Sequence, residues 1–249
     1  MRESLSSILR SHHRRLYVRH LDTQPWPFRL FGFQTHDGWF GLIDALSAVV
    51  ASRVVERDLR FSIIQVKEKF GTLRYYADGM DDFCRGAKWF AEAMSGRLSE
   101  RSGHTGLPSR INHYMCTLAP GEDPAAEINP GLEPTERFVA SCGPANALAL
   151  VQAAWPMTHI DVPAGLADLA DVLVGFLTAS ETTGPPPSAI VICLGRGNER
   201  RLTVDMSDLD DWHLGGIAVA ARLASVWIDP LTGNTGSVDD LGRPVWAAA

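Results

Sequence analysis

Two spacings of apolar residues alternate along the first half of this chain. Leu5, Ile8, Leu9, Leu16 and Tyr17 recur at helical spacing and predict a helix over residues 1–24, closed by Pro25-Trp26-Pro27. Trp39, Phe40, Ile43, Leu46, Val49 and Val50 predict a buried helix that runs to about residue 55. Between it and the next helix the spacing shortens. Residues 61–66 and 72–76 are β-branched and aromatic and read as the two strands of a hairpin, with Lys67-Glu68-Lys69 as its turn. Gly71 supplies a positive φ or a bulge. Asp81 or Asp82 then caps a third helix, with Phe83, Ala87, Phe90, Met94 and Leu98 as its apolar stripe and an end near Gly103.

Residues 119–134 are rich in proline and glycine and read as a semi-extended linker. Beyond it the pattern predicts a strand at 137–141, a helix at 144–154 and a strand at 157–162. Pro163 opens a helix with Leu166, Leu169, Leu173, Phe176 and Leu177 on one face. A central apolar strand follows at 189–194, then a turn at 195–198 and a return strand at 201–206. A helix over 209–223 is interrupted by Gly215-Gly216, and a last strand covers 226–228. No internal repeat is legible. The expected class is α+β: two small mixed α/β domains, 1–118 and 135–249, each a short sheet packed by helices.

Charge sharpens this division. The chain has 249 residues, 45% hydrophobic, with a net charge of −6. Residues 1–122 carry 17 Lys and Arg against 13 Asp and Glu; residues 123–249 carry 6 against 16, with no lysine. So acidic a half is expected to repel nucleic acid and to attract a protein with a basic surface, such as a nucleic-acid-binding complex. Asp205, Asp208, Asp210 and Asp211 form its densest acidic run, with Trp212 as an apolar anchor and Glu181 and Asp229 as outliers. Trp227 reads as core. On the basic side, Lys67, Lys69 and Arg74 are the contact points that the hairpin offers. A direct nucleic-acid module would instead use Arg10, Arg14, Arg15 and Arg19.

Cys84, Cys116, Cys142 and Cys193 make no CxxC pair, and neither a signal peptide nor a run of about 18 apolar residues is visible. Reduced thiols in a cytoplasmic setting are expected, with no membrane partner. Candidate chemistry is sparse. Cys142 before a helix start, with His159 and Asp161 nearby, would suit a cysteine-dependent hydrolase or transferase. A small buried residue at a turn is the plainer reading of Cys142. His36-Asp37 invites an acid–base reading, against which stands Asp37 as a helix cap. Gly195-x-Gly197 lacks the third glycine of a dinucleotide loop, and no phosphate loop or nucleophile elbow is present. No catalytic residue, cofactor or metal is assigned on this basis.

Gly38-Trp39-Phe40, the run Val-Lys-Glu-Lys-Phe-Gly-Thr-Leu-Arg-Tyr-Tyr over residues 66–76, and Ala91-Glu92-Ala93-Met94-Ser95 resemble a family of uncharacterised proteobacterial and phage proteins, over about residues 30–118. The resemblance implies a Cys-x-x-Cys-Gly knuckle followed by a Cys-x-x-His-like pair, a set suited to structural zinc. Here Ser99 and Ser102 stand at the knuckle positions, Cys116 remains, and Ala119 replaces the last ligand. His104 and His113 do not keep the spacing, so no zinc is expected there. The resemblance and the charge together imply a non-enzymatic protein-binding protein of a phage or mobile element, for example an inhibitor of a CRISPR-type defence complex or an immunity-type protein.

Overall fold

The computed structural model describes residues 1–18, 26–128, 158–178, 190–194, 202–205 and 213–245. Helices and small mixed sheets pack together in an α+β fold. The N-terminal helix is shorter than its periodicity suggests. α1 (Glu3–His12) stops where His13 leaves the helical region, and α2 (Arg14–Tyr17) follows as one turn. The prolines do not merely end a helix: α3 (Trp26–Phe31) forms around Pro27, which the first turn tolerates.

Then come β1 (Phe33–Gln34), a 3₁₀ turn (Asp37–Trp39) and α4 (Phe40–Glu56). Asp37 does not cap that turn. Its carboxylate accepts from the Arg2 amide (2.8 Å) and Arg2 Nε (2.7 Å), so it ties down the start of α1. Asp37–Glu56 is, among the described residues, the one helical span long and apolar enough to cross a membrane, yet it lies mostly buried in the core. The hairpin follows as β2 (Ser62–Lys69) and β3 (Thr72–Asp78). Asp81 caps α5 (Asp82–Ser95) through the Cys84 amide at 2.9 Å. That helix ends at Ser95 and not near Gly103. β4 (Leu107–Ile111), β5 (Tyr114–Leu118) and β6 (Ala126–Ile128) form a second sheet in the order β5-β4-β6. The supposed linker is thus partly strand, because Ile128 pairs opposite Ser109; residues 129–134 lie outside the described residues.

The second half contains β7 (Thr158–Asp161), a 3₁₀ turn (Ala164–Leu166), α6 (Ala167–Thr178), β8 (Ile190–Leu194), β9 (Leu202–Asp205), α7 (His213–Ala224), β10 (Ser237–Val238) and β11 (Pro244–Val245). β8 is central, as its apolar run predicts. The strand expected over 137–141 and the helix over 144–154 fall outside the described residues. α7 runs unbroken through Gly215-Gly216, and residues 226–228 form a turn in which only Ile228 bridges to Thr235.

The two halves repeat one another, which the sequence does not reveal. In each, a short strand pairs in parallel with the first strand of an antiparallel pair: β1 with β2 and β3, β7 with β8 and β9. The hydrogen bonds repeat as well. Ser95 Oγ accepts the Leu73 amide (2.8 Å) and donates to the Glu92 carbonyl (2.6 Å). Ser225 Oγ accepts the Leu202 amide and donates to the Arg222 carbonyl, both at 2.7 Å. After each helix the chain folds into the same turn. Ser99 N donates to His104 O, Gly103 N to Ser99 O and Gly106 N to Arg97 O; Asp229 N donates to Asn234 O, Gly233 N to Asp229 O and Gly236 N to Trp227 O. Gly103 and Gly233 take φ of 75° and 74° in it, a conformation that only glycine adopts freely.

Contacts between the halves are reciprocal. A Cβ on Gly86 of α5 would strike the His213 carbonyl of α7, and one on Gly216 of α7 would strike the Phe83 carbonyl of α5. Likewise a Cβ on Gly103 would meet Thr235, and one on Gly233 would meet Thr105. Such exchanged pairs are those of a two-fold dimer, here within one chain. The halves are therefore not separately packed. Buried side chains of α4, α5, α6 and α7 join in one hydrophobic core. Symmetry fails at the equivalent positions 97 and 227. Trp227 is buried on Gly41 and edge-on to Phe40, whereas Arg97 pairs with Asp168 (3.5 Å) and Asp171 (2.9 Å).

Candidate functional site

The solvent face of the β2–β3 hairpin gathers the basic residues singled out in the sequence. The register sets Lys67 opposite Arg74 and Lys69 opposite Thr72, with Gln65 opposite Tyr76, so all six share a face, within which Thr72 is covered. The opposite face buries Val66, Leu73 and Tyr75. Lys67, Glu68 and Lys69 belong to β2, not to a turn; the turn is Phe70-Gly71, one step later. Both residues have positive φ, 56° and 77°, as a type I′ turn requires.

Phe70 is the anomaly. That position favours asparagine, aspartate or glycine, and a bulky side chain there is strained. Its ring is 51% exposed, so little packing within the chain compensates. Lysines lie over both exposed rings of this face. Lys69 Nζ sits 5.2 Å from the Phe70 ring centre, and Lys67 Nζ sits 5.8 Å from that of Tyr76, itself 37% exposed. Arg74 donates to Thr72 Oγ1 (2.5 Å) and to the Leu73 carbonyl (2.8 Å). The tip is held rigid from behind. Glu68 accepts the Gly71 amide (2.7 Å), and Thr117 of β5 donates to the Gly71 carbonyl (2.7 Å).

Of the acidic candidates, Asp205 lies at the end of β9, opposite Val191. Asp208, Asp210, Asp211, Trp212 and Glu181 fall outside the described residues. So does Cys142, while His159 and Asp161 lie on β7. Asp229 sits in the turn after α7, where its carboxylate accepts the Leu231 amide at 2.8 Å.

The knuckle positions converge on a carboxylate. Ser99 Oγ donates to Glu122 at 2.5 Å, and the Ala119 amide donates to the same oxygen at 2.9 Å. The Ser99 hydroxyl also receives the amides of Arg101 (3.2 Å) and Ser102 (3.3 Å). Burial pushes the Glu122 carboxyl up, but the hydrogen bonds from Ser99, Ala119 and Ser102 hold it below the usual range. The Cys116 thiol reaches the Ser109 carbonyl (3.5 Å), and burial together with Glu100 keeps it protonated. Burial likewise pushes the Cys84 thiol up.

Beside the knuckle lies a group that the sequence does not single out. Glu100 is 7% exposed, and one of its carboxylate oxygens has no hydrogen-bond partner among the described residues. Burial, helped by Glu68, pushes its carboxyl up to about 7. Exposed His36 approaches it at 3.4 Å, so the imidazole pairs with Glu100 and not with Asp37. The neighbouring Cys116 thiol, pushed up by burial, makes a poor nucleophile. The only sequence signal for Glu100 is its place inside the knuckle. Next to it a cleft of about 750 Å³ opens between α1 and the loops after α7, lined by Arg2, Asp37, Arg101, His104, Asp239 and Asp240 among others. Comparison with protein-family models, with curated proteins and with solved structures returns no match.

Proposed function

We propose that the chain is a non-enzymatic binding protein that grips a protein partner with the β2–β3 hairpin. The observation that carries this reading is Phe70, a half-exposed aromatic kept in a strained conformation at a braced tip. Strain of this kind gathers where a surface is used, and aromatic anchors dominate binding energy. Lys67, Lys69 and Arg74 around it fit a pocket with an acidic rim. The acidic run Asp205, Asp208, Asp210 and Asp211 extends the reading to a second contact, toward basic groups on a host nucleic-acid-binding complex. The phage setting and an inhibitory or immunity-type role rest on the resemblance over residues 30–118. Burial, which pushes the Cys84 and Cys116 thiols up, speaks against thiol catalysis at either of these two residues.

Quantitative capture from host lysate with the wild-type chain and with Phe70→Ala tests the proposal. A partner held near one to one by the wild type, then lost by the variant and by Lys67→Glu/Lys69→Glu, is the expected result. Equal capture by all three chains rejects it. Retention of single-stranded oligonucleotide by the same face would instead assign the aromatic–basic strip to nucleic acid.

A further inference from the structure

The N-terminal helix brings two imidazoles onto one carboxylate. His12 Nδ1 lies 3.1 Å from Asp44 Oδ1, and His13 Nε2 lies 2.8 Å from the same oxygen. His12 comes from the end of α1, His13 from the break that follows, and Asp44 from α4. The other nitrogen of His12, Nε2, lies 3.2 Å from the Leu241 carbonyl in the loop before β11.

Hydrogen bonding makes this arrangement informative. The Leu241 carbonyl can only accept, so His12 Nε2 carries the proton. Nδ1 is then the nitrogen turned toward the Asp44 carboxylate, with its lone pair open to a proton or to a metal ion.

Three features favour the metal. The Nε2–H to carbonyl bond is the outer contact that commonly orients a metal-binding histidine and selects its free nitrogen. The three ligand atoms all lie within 4.8 Å of one another. Bonds of about 2.0–2.2 Å to zinc would set neighbouring ligand atoms about 3–3.5 Å apart, and the two His–Asp separations fall near the short edge of that range. The internal repeat supplies the third feature. Asp171 of α6 occupies the place equivalent to Asp44, and there a permanent cation, Arg97, meets the carboxylate at 2.9 Å. Among the described residues, Asp44 is met only by the two imidazoles. Entry is open, because the His12 side chain is 35% exposed while His13 and Asp44 are largely covered.

We propose that His12 Nδ1, His13 Nε2 and the Asp44 carboxylate bind a divalent first-row transition metal ion, with water completing its coordination. The donor set, two imidazoles and one carboxylate, suits zinc, cobalt or nickel better than calcium or magnesium. This site is separate from the Ser99–Cys116 knuckle. A bound ion would join α1, α4 and, through His12, the loop that carries Leu241.

The test uses the full chain, stripped with chelator and titrated with Co²⁺ and then Zn²⁺. The expected result is one Co²⁺ per chain with visible d–d absorption, displaced by Zn²⁺, and affinity at least about 100-fold weaker in His12→Gln and Asp44→Asn. Undiminished binding in both variants would overturn the assignment. Should either variant fail to fold, ¹⁵N spectra of the wild-type histidines decide. Movement of His12 Nδ1 to a metal-bound position on adding Zn²⁺ supports the site; an imidazolium at His12 that persists with Zn²⁺ present overturns it.

Discussion

Gly86 on α5 and Gly216 on α7 are equivalent, and each lies against a backbone carbonyl of the other helix. This helix pair is therefore built on two hydrogen atoms where side chains would normally stand. Adding a methyl to either forces the helices apart. Gly86→Ala and Gly216→Ala should each destabilise the fold by about 1–3 kcal/mol despite alanine's better helix propensity. The double variant should lose less than the sum, because the first methyl already separates the pair. Urea unfolding of the three variants measures this, and full additivity would argue that the contacts are independent.

The hydroxyls of Ser95 and Ser225 each receive a buried strand amide. Alanine at either site leaves an N–H without an acceptor, at a cost of about 1–3 kcal/mol. Cysteine, with a weak acceptor in place of oxygen, should fall between serine and alanine. Thermal unfolding across the two series should run in parallel if the halves are equivalent in energy as well as in geometry.

Phe70 sets stability against recognition. Phe70→Asn puts the preferred residue into the first position of the turn and should stabilise the chain by about 0.5–1 kcal/mol, net of the lost Lys69 contact. The same change should abolish partner capture. A destabilised Asn variant would show that the ring supports the fold from within.

Glu100 makes stability depend on pH in an unusual direction. Its carboxyl ionises at about 7 in the folded chain against an ordinary 4.5, so between these values the native state holds a proton that the unfolded chain has released. Its contribution is complete below pH 4.5 and is lost as pH rises through 7. The loss is about 1–3 kcal/mol. Glu100→Gln should flatten this slope and be more stable than the wild type at pH 8. An unchanged slope in chemical denaturation from pH 5 to 8 would place the titration elsewhere.

The long apolar periodicities of α4, α5 and α6 were legible because a buried stripe repeats regardless of what covers it. The repeat was not. Its shared residues are few: Gly38 with Gly165, Leu42 with Leu169, Asp44 with Asp171, then Gly86 with Gly216, Ser95 with Ser225, and Gly103 with Gly233. Their separation along the chain changes between the helices, so no single offset aligns them. Each is kept for a contact with the other half or with the backbone, and such contacts leave no periodic trace. For a similar reason Gly215-Gly216 reads as a helix break when taken alone. Only the neighbouring α5 explains it. At the candidate site, residue type revealed Lys67, Lys69 and Arg74, but the strain at Phe70 depends on a register that charge does not encode. Glu100 and the His12–Asp44 cluster join residues far apart in sequence, and only folding brings them together.

The unlike pair Arg97 and Trp227 gives the chain a handedness of assembly. Two first halves brought together by the same two-fold operation would drive Arg97 onto the apolar Phe40–Gly41 surface. Two second halves would bury Trp227 against Asp168 and Asp171. Each mismatch removes either a charge partner or a hydrophobic seat, so like halves repel and unlike halves match. Each half is thus shaped to complement the other and not a copy of itself.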